Sequence, residues 1–90
     1  MTYESTRPAF TAKIKPGALK LLMDFHNISY REAARRTGVS VGTIGNIVTE
    51  ARKYVNPSTA GKIAKGLGVE TDSLFEIVET VNLSEQQNHK

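Results

Sequence analysis

Two helix starts and one helix stop are crowded into residues 29–40. Ser29-Tyr30-Arg31-Glu32 has the form of a capping box, in which the serine oxygen accepts a backbone N–H while the glutamate reaches back to the cap. Gly38 can take a positive φ and end the helix so begun, and Ser40 can cap the next one at once. The spacing predicts one helix to about Thr37 and another over about 41–49. Ala34 is small enough to let another helix approach, and Ile44 and Ile47 point back toward a core.

The rest of the chain reads as short helices around this pair. Pro16 suits a first helical turn, where its missing N–H is not needed, and Leu19, Leu22, Met23 and Phe25 follow helical spacing up to His26-Asn27. Asn56-Pro57 is a cap followed by proline at the first helical position. Ile63, Ala64 and Leu67 form the apolar side of a fourth helix, and Gly68 closes it. A fifth begins near Glu70 or Thr71 and carries Leu74, Phe75, Ile77, Val78 and Val81 in two overlapping rows. With no convincing strand, the pattern predicts an all-α, five-helix domain over residues 16–81. Residues 1–15 show no helical or strand period and read as a flexible N-terminal arm; residues 82–90 read as a frayed polar tail.

Composition narrows the chemistry. Ninety residues make one small domain, without a single cysteine for a disulfide, a thiolate zinc site or a thiol nucleophile. The N-terminal stretch has no basic, apolar leader pattern, and no apolar run approaches membrane-spanning length, which predicts a soluble, cytoplasmic protein with no membrane partner. His26 and His89 have no ligand-spaced carboxylates around them, and there is no P-loop, nucleophile elbow or metal motif. No enzymatic activity, cofactor, metal or small-molecule ligand is expected.

Charge is unevenly spread. Residues 7–65 hold eleven Lys/Arg against three acids, whereas residues 66–90 hold five acids against one lysine. Such a body either binds a polyanion or is a solvated surface with uneven decoration. Helical geometry adds to the first reading. With Ile44 at zero and about 100° per residue, Ile47 and Val48 fall within about 60° of it, and Gly42, Asn46 and Thr49 lie opposite, flanked by Thr43 and Gly45. An exposed face with no long side chain suits close contact with another surface. The two glycines cost the helix roughly 1 kcal/mol each relative to alanine, which a closer approach of its backbone to that surface would explain; tolerance by a well-supported helix is the rival explanation.

The order of elements, with ISYREAARRTGVSVGTIGNIV followed by NPSTAGKIAKGLGVETDSLFEI, resembles the phage Cro/repressor-like, or XRE, family of helix-turn-helix proteins over roughly residues 18–78. The resemblance implies a lambda-repressor-like domain whose helix 41–49 enters the major groove of double-stranded DNA while the preceding helix crosses the backbone. Asn46 can then pair with an adenine edge, and Thr43 or Thr49 can reach a base or a phosphate. The resemblance also puts Gly42 on the groove-facing side of that helix. Val41 either packs on a thymine methyl or is a partial core position. Tyr30 stands where the family most often has glutamine, so it either donates to a phosphate or packs its ring at the helix start. Arg31, Arg35, Ser40, Arg52 and Lys53 are the remaining phosphate candidates, with Arg36 assigned to a surface pair with Glu32. Arg7, Lys13 and Lys15 on the arm can wrap into a groove or belong to a disordered end. The family's fifth helix frequently pairs subunits, which assigns Leu74, Phe75, Ile77, Val78 and Val81 to a homodimer interface; the alternative is a monomer that folds both rows inward. The expected function is a sequence-specific transcriptional regulator of the Cro or compact-repressor type. An antitoxin-type protein that neutralises a partner and autoregulates through DNA is the alternative.

Overall fold

The computed structural model describes residues 9–80. Within them the chain runs β1 (Phe10–Ile14), α1 (Ala18–His26), α2 (Tyr30–Thr37), α3 (Val41–Val48), β2 (Tyr54–Val55), α4 (Pro57–Leu67), α5 (Thr71–Leu74) and β3 (Phe75–Glu79). The five expected helices are present, but the domain is not all-α. Its three strands form one antiparallel sheet in the order β2-β1-β3.

The serine caps and the glycine stops form as read, whereas the glutamate half of the capping box does not. Ser29 Oγ accepts from the Glu32 N–H at 3.1 Å, and Ser40 Oγ accepts from the Thr43 N–H at 3.1 Å. Gly38 and Gly68 end α2 and α4, each at φ 74°. Between α2 and α3, buried Thr37 donates its hydroxyl to the Ala33 carbonyl at 2.8 Å and accepts from the Val39 N–H at 3.1 Å, so one side chain holds both sides of the turn. Pro16 lies one residue outside the cap rather than in the first turn of α1. Gly17, at φ 77°, is the N-cap residue.

The arm expected over residues 1–15 becomes a strand in its second half. Phe10-Thr11-Ala12-Lys13-Ile14 alternates apolar and polar residues, the period of a half-buried strand, and Ala12 and Ile14 point into the core. Lys13 and Lys15 therefore belong to the body of the domain, not to a free arm, and Lys15 Nζ donates to the Asp72 carbonyl. The fifth helix is the second correction. It lasts four residues, and the backbone turns extended at Phe75, φ −138° and ψ 157°. Phe75–Glu79 then pairs with β1 from Ile14↔Phe75 to Phe10↔Glu79. The apolar spacing of 74, 75, 77 and 78 fits a helix locally, but β-branched Ile77 and Val78 also suit a strand, and β1 offers an unpaired edge whose hydrogen bonds a helix would leave open. Leu74 and Phe75 are consequently core residues, 3% and 0% exposed, and are unavailable to a partner. Ile77 and Val78 lie on the outer strand, while Arg7, Val81 and the tail lie outside the described residues.

Fully buried Ile44, Ile63 and Phe75 tie α3, α4 and the sheet into one core. The tightest approach is between α4 and α2. A Cβ on Gly66 would lie 2.5 Å from the Arg36 carbonyl oxygen and 2.7 Å from Thr37 Cα, so backbone meets backbone there. Buried Ala33, rather than half-buried Ala34, is the small α2 residue fully enclosed by neighbouring elements.

Gly66→Ala is expected to lower the unfolding free energy by about 1–3 kcal/mol through overpacking, against a helix-propensity gain of roughly 1 kcal/mol. Gly61→Ala on the same helix, where a Cβ meets nothing within 4 Å, is expected to stabilise. Urea titrations check both; a stabilising Gly66→Ala would dismiss the close approach.

Candidate nucleic-acid interface

Burial orients α3. Ile44 and Ile47 are 0% and 2% exposed and fasten one side of the helix to the core. Gly42, Asn46 and Thr49 are exposed on the other side, with Thr43 and Gly45 at its margins, while Val41 is exposed in the first turn on the Ile44 side of the helix. This face carries no charge and no side chain longer than asparagine.

The hydroxyls along it differ in what they can offer. Ser40 Oγ donates to Thr43 Oγ1 at 2.9 Å while accepting from the Thr43 N–H, so its proton is committed inside the cap. Thr43 Oγ1 is the partner in that bond and lies at the margin of the exposed face. Thr49 Oγ1 donates to the Gly45 carbonyl at 2.9 Å, leaving only lone pairs to present. Asn46 offers a donor and an acceptor together, the combination that matches the adenine N6/N7 edge. The N–H groups of Val41 and Gly42, at the start of the helix, have no intrahelical acceptor and suit an anion better than the Ser40 hydroxyl does.

Tyr30 and Gly45 explain each other. A Cβ on Gly45 would sit 3.6 Å from Tyr30 Cε2, so the Tyr30 ring lies against α3 with the glycine beneath it. Gly42 has nothing within 4 Å of its would-be Cβ and faces open space. The two glycines that look alike in the sequence thus have different surroundings, one a neighbouring ring and the other the exposed face.

Cations lie on the elements next to α3. On α2, Arg31 is exposed and makes no ion pair among the described residues. Arg35 and Arg36 both bond Glu32, at 2.5 Å and 2.9 Å, and these bonds hold the Glu32 carboxyl below the usual carboxylate range. The Arg36–Glu32 pair is the one expected from the sequence; the Arg35 bond to the same carboxylate is additional. Beyond α3 the chain turns back through Glu50, at φ 64°, and the Arg52 N–H donates to the Asn46 carbonyl at 3.2 Å. The Ile14 N–H donates to the Lys53 carbonyl at 2.9 Å, which ties this loop to β1. Lys13, Arg52 and Lys53 line one shallow recess beside Glu50.

A polar cleft of about 210 Å³ separates the start of α3 from the start of α4, lined by Gly38, Val39, Thr43, Arg52, Val55, Asn56, Thr59 and Lys62. It brings two cations to the N-terminus of α4, whose cap residue Asn56 makes no side-chain cap bond and whose first turn holds no acid. Lys62 and Thr59 were not singled out by spacing, and Asn56 was read only as a helix cap. Lys62 counts in the sequence only as one basic residue among eleven, and nothing local announces that α4 begins beside α3.

A capped two-helix unit, an uncharged short-side-chain face on its second helix and cations on the flanking helix and loop define a helix-turn-helix DNA-binding domain. The chain belongs to the XRE-type helix-turn-helix family, whose model matches residues 19–74. This is a family of DNA-binding transcription regulators, and its ligand is double-stranded DNA. Comparison with curated proteins and with solved structures returns no match. Among the described residues no helix is long and apolar enough to cross a membrane.

Gly42→Ala is expected to stabilise the free protein by about 1 kcal/mol and to weaken its binding to a selected duplex. Gly45→Ala adds a methyl in ordinary contact with the Tyr30 ring and is expected to disturb binding less. Thermal melts and fluorescence anisotropy read the two effects; intact affinity in Gly42→Ala would remove close backbone approach as the reason for that glycine.

Proposed function

We propose that the chain is a sequence-specific regulator of the Cro or compact-repressor type, with α3 in the major groove. Val41, Gly42, Thr43, Asn46 and Thr49 meet the bases. Tyr30, Arg31, Arg35, Arg52 and Lys53 meet the phosphates, together with the α3 and α4 N-termini and Lys62. The observation that carries this reading is the uncharged exposed face of α3 bordered by the cationic cleft. Base contacts carry sequence information and phosphate contacts set position, so the two groups separate experimentally.

Asn46→Ala is expected to weaken binding to the selected site by about 1–3 kcal/mol and relax preference at one base pair. Lys62→Ala is expected to weaken all duplexes alike and to flatten the salt dependence by a log-log slope of about 0.9, the value for one phosphate. Selection from random duplexes followed by a salt series checks both. Equal loss on random DNA for Asn46→Ala would exclude it from base reading.

We also propose that two copies act together on DNA, through the outer edge of β3. Ile77 is 48% exposed there, and among the described residues β3 is paired on one side only. The antitoxin-type alternative has its own support. Leu21 and Phe25 on α1 are 71% and 80% exposed and, with Leu22 and Val69, border an apolar groove over buried Leu74, a surface fit for a different protein. Light scattering separates the two: Ile77→Glu is expected to give monomers and Phe25→Asp to leave dimers intact. Dimers that survive Ile77→Glu would overturn pairing through β3, and insolubility without a co-expressed partner would favour the antitoxin reading.

A further inference from the structure

Glu32 does not complete the capping box that its position announces. Its backbone N–H bonds Ser29 Oγ, but its carboxylate points along α2: Oε1 accepts from Arg35 Nη2 and Oε2 from Arg36 Nε. Each oxygen thus holds a different arginine, and one acid restrains two of the three arginines of α2. The Arg35 side chain remains 74% exposed and that of Arg36 46% exposed, so both guanidiniums stay at the surface while held.

We propose that Glu32 is a specificity-determining residue, holding Arg35 and Arg36 so that they reward docking in one register and contribute less to binding at random sequence. The inference rests on the DNA-binding reading above. Random-sequence binding is electrostatic, and it profits from cations free to follow whatever phosphates lie near. A guanidinium held on the helix is useful only when the protein docks where a phosphate meets it, and there the ordering cost has already been met. Surface ion pairs are weak enough to yield to a well-placed phosphate. Restraint of this kind lowers random binding more than binding at the selected site, which widens the ratio between them.

Glu32→Gln tests this without removing the cap, because Ser29 bonds the backbone N–H of residue 32 and not its carboxylate. Glu50→Gln is the control: it removes the same charge just beyond α3, at a residue with no ion pair among the described residues. Dissociation constants for the selected duplex and for random duplex are measured over a salt series, with circular dichroism confirming the fold. Glu32→Gln is expected to tighten random-duplex binding roughly three- to tenfold, as two released surface pairs would supply, and to steepen its salt slope by about 0.9 for each phosphate gained. The selected duplex is expected to gain less, so the ratio narrows, and adding Arg35→Ala is expected to cancel part of the gain. Equal shifts in Glu32→Gln and Glu50→Gln, or equal gains on both duplexes, would overturn the proposal and leave the DNA reading standing. Failure of the unmodified protein to bind any duplex would overturn both.

Discussion

Where α4 crosses α2, the Gly66 backbone lies against the Arg36 carbonyl and Thr37 Cα, with no room for a methyl group between them. Thr37 is also the residue whose hydroxyl joins Ala33 to Val39 across the turn. The crossing therefore clamps the residue that sets the direction in which α3 leaves α2. Ile44 and Ile47 complete the hold from the other end by anchoring α3 in the core. An exposed helix of short side chains needs this support, because it has few contacts of its own to keep it in place.

The sheet performs the corresponding task for the loop after α3. β1 lies between β2 and β3, and its last residue donates its N–H to the Lys53 carbonyl on one side while its neighbour Lys15 reaches the Asp72 carbonyl on the other. Arg52 and Lys53 are thus carried on a segment tied to the central strand. The uneven charge of the chain acquires a spatial meaning as well. Arg52 and Lys62 share a cleft with Thr43 of α3 and Arg31 lies on the preceding helix, whereas Glu70 is the N-cap residue of α5 and Asp72, Glu76 and Glu79 belong to the α5–β3 segment. Acids gathered on that segment leave the neighbourhood of α3 with a positive balance.

Much of the candidate site was legible because its signals are local. The Ser29 and Ser40 caps, the Gly38 turn and the buried and exposed sides of α3 all follow from contacts three or four residues apart. The alternation in Phe10–Ile14 was also present in the sequence, but it is short and follows a segment rich in Thr, Ser and Pro, so it reads as part of an arm. Phe75–Glu79 was harder. Its apolar spacing satisfies a helix, and only the hydrogen bonds offered by β1, from the other end of the chain, favour extension. The role of Glu32 was half legible: its position announces a cap, yet its carboxylate turns to the two arginines that follow it.

The sequence by itself determined the helix-turn-helix, its caps and the short uncharged face of its second helix, since each depends on hydrogen bonds and periodicity within a few residues. Tertiary structure alone decided that the two ends of the described chain become paired strands and that Leu74 and Phe75 face inward. It also decided that Lys62 and Arg52 share a cleft and that Gly66, rather than any other glycine of α4, is where two backbones touch. The physical reason is the same in each case. Strand pairing and helix crossing depend on groups far apart in the chain, and their free energy is gained only after the fold has brought those groups together.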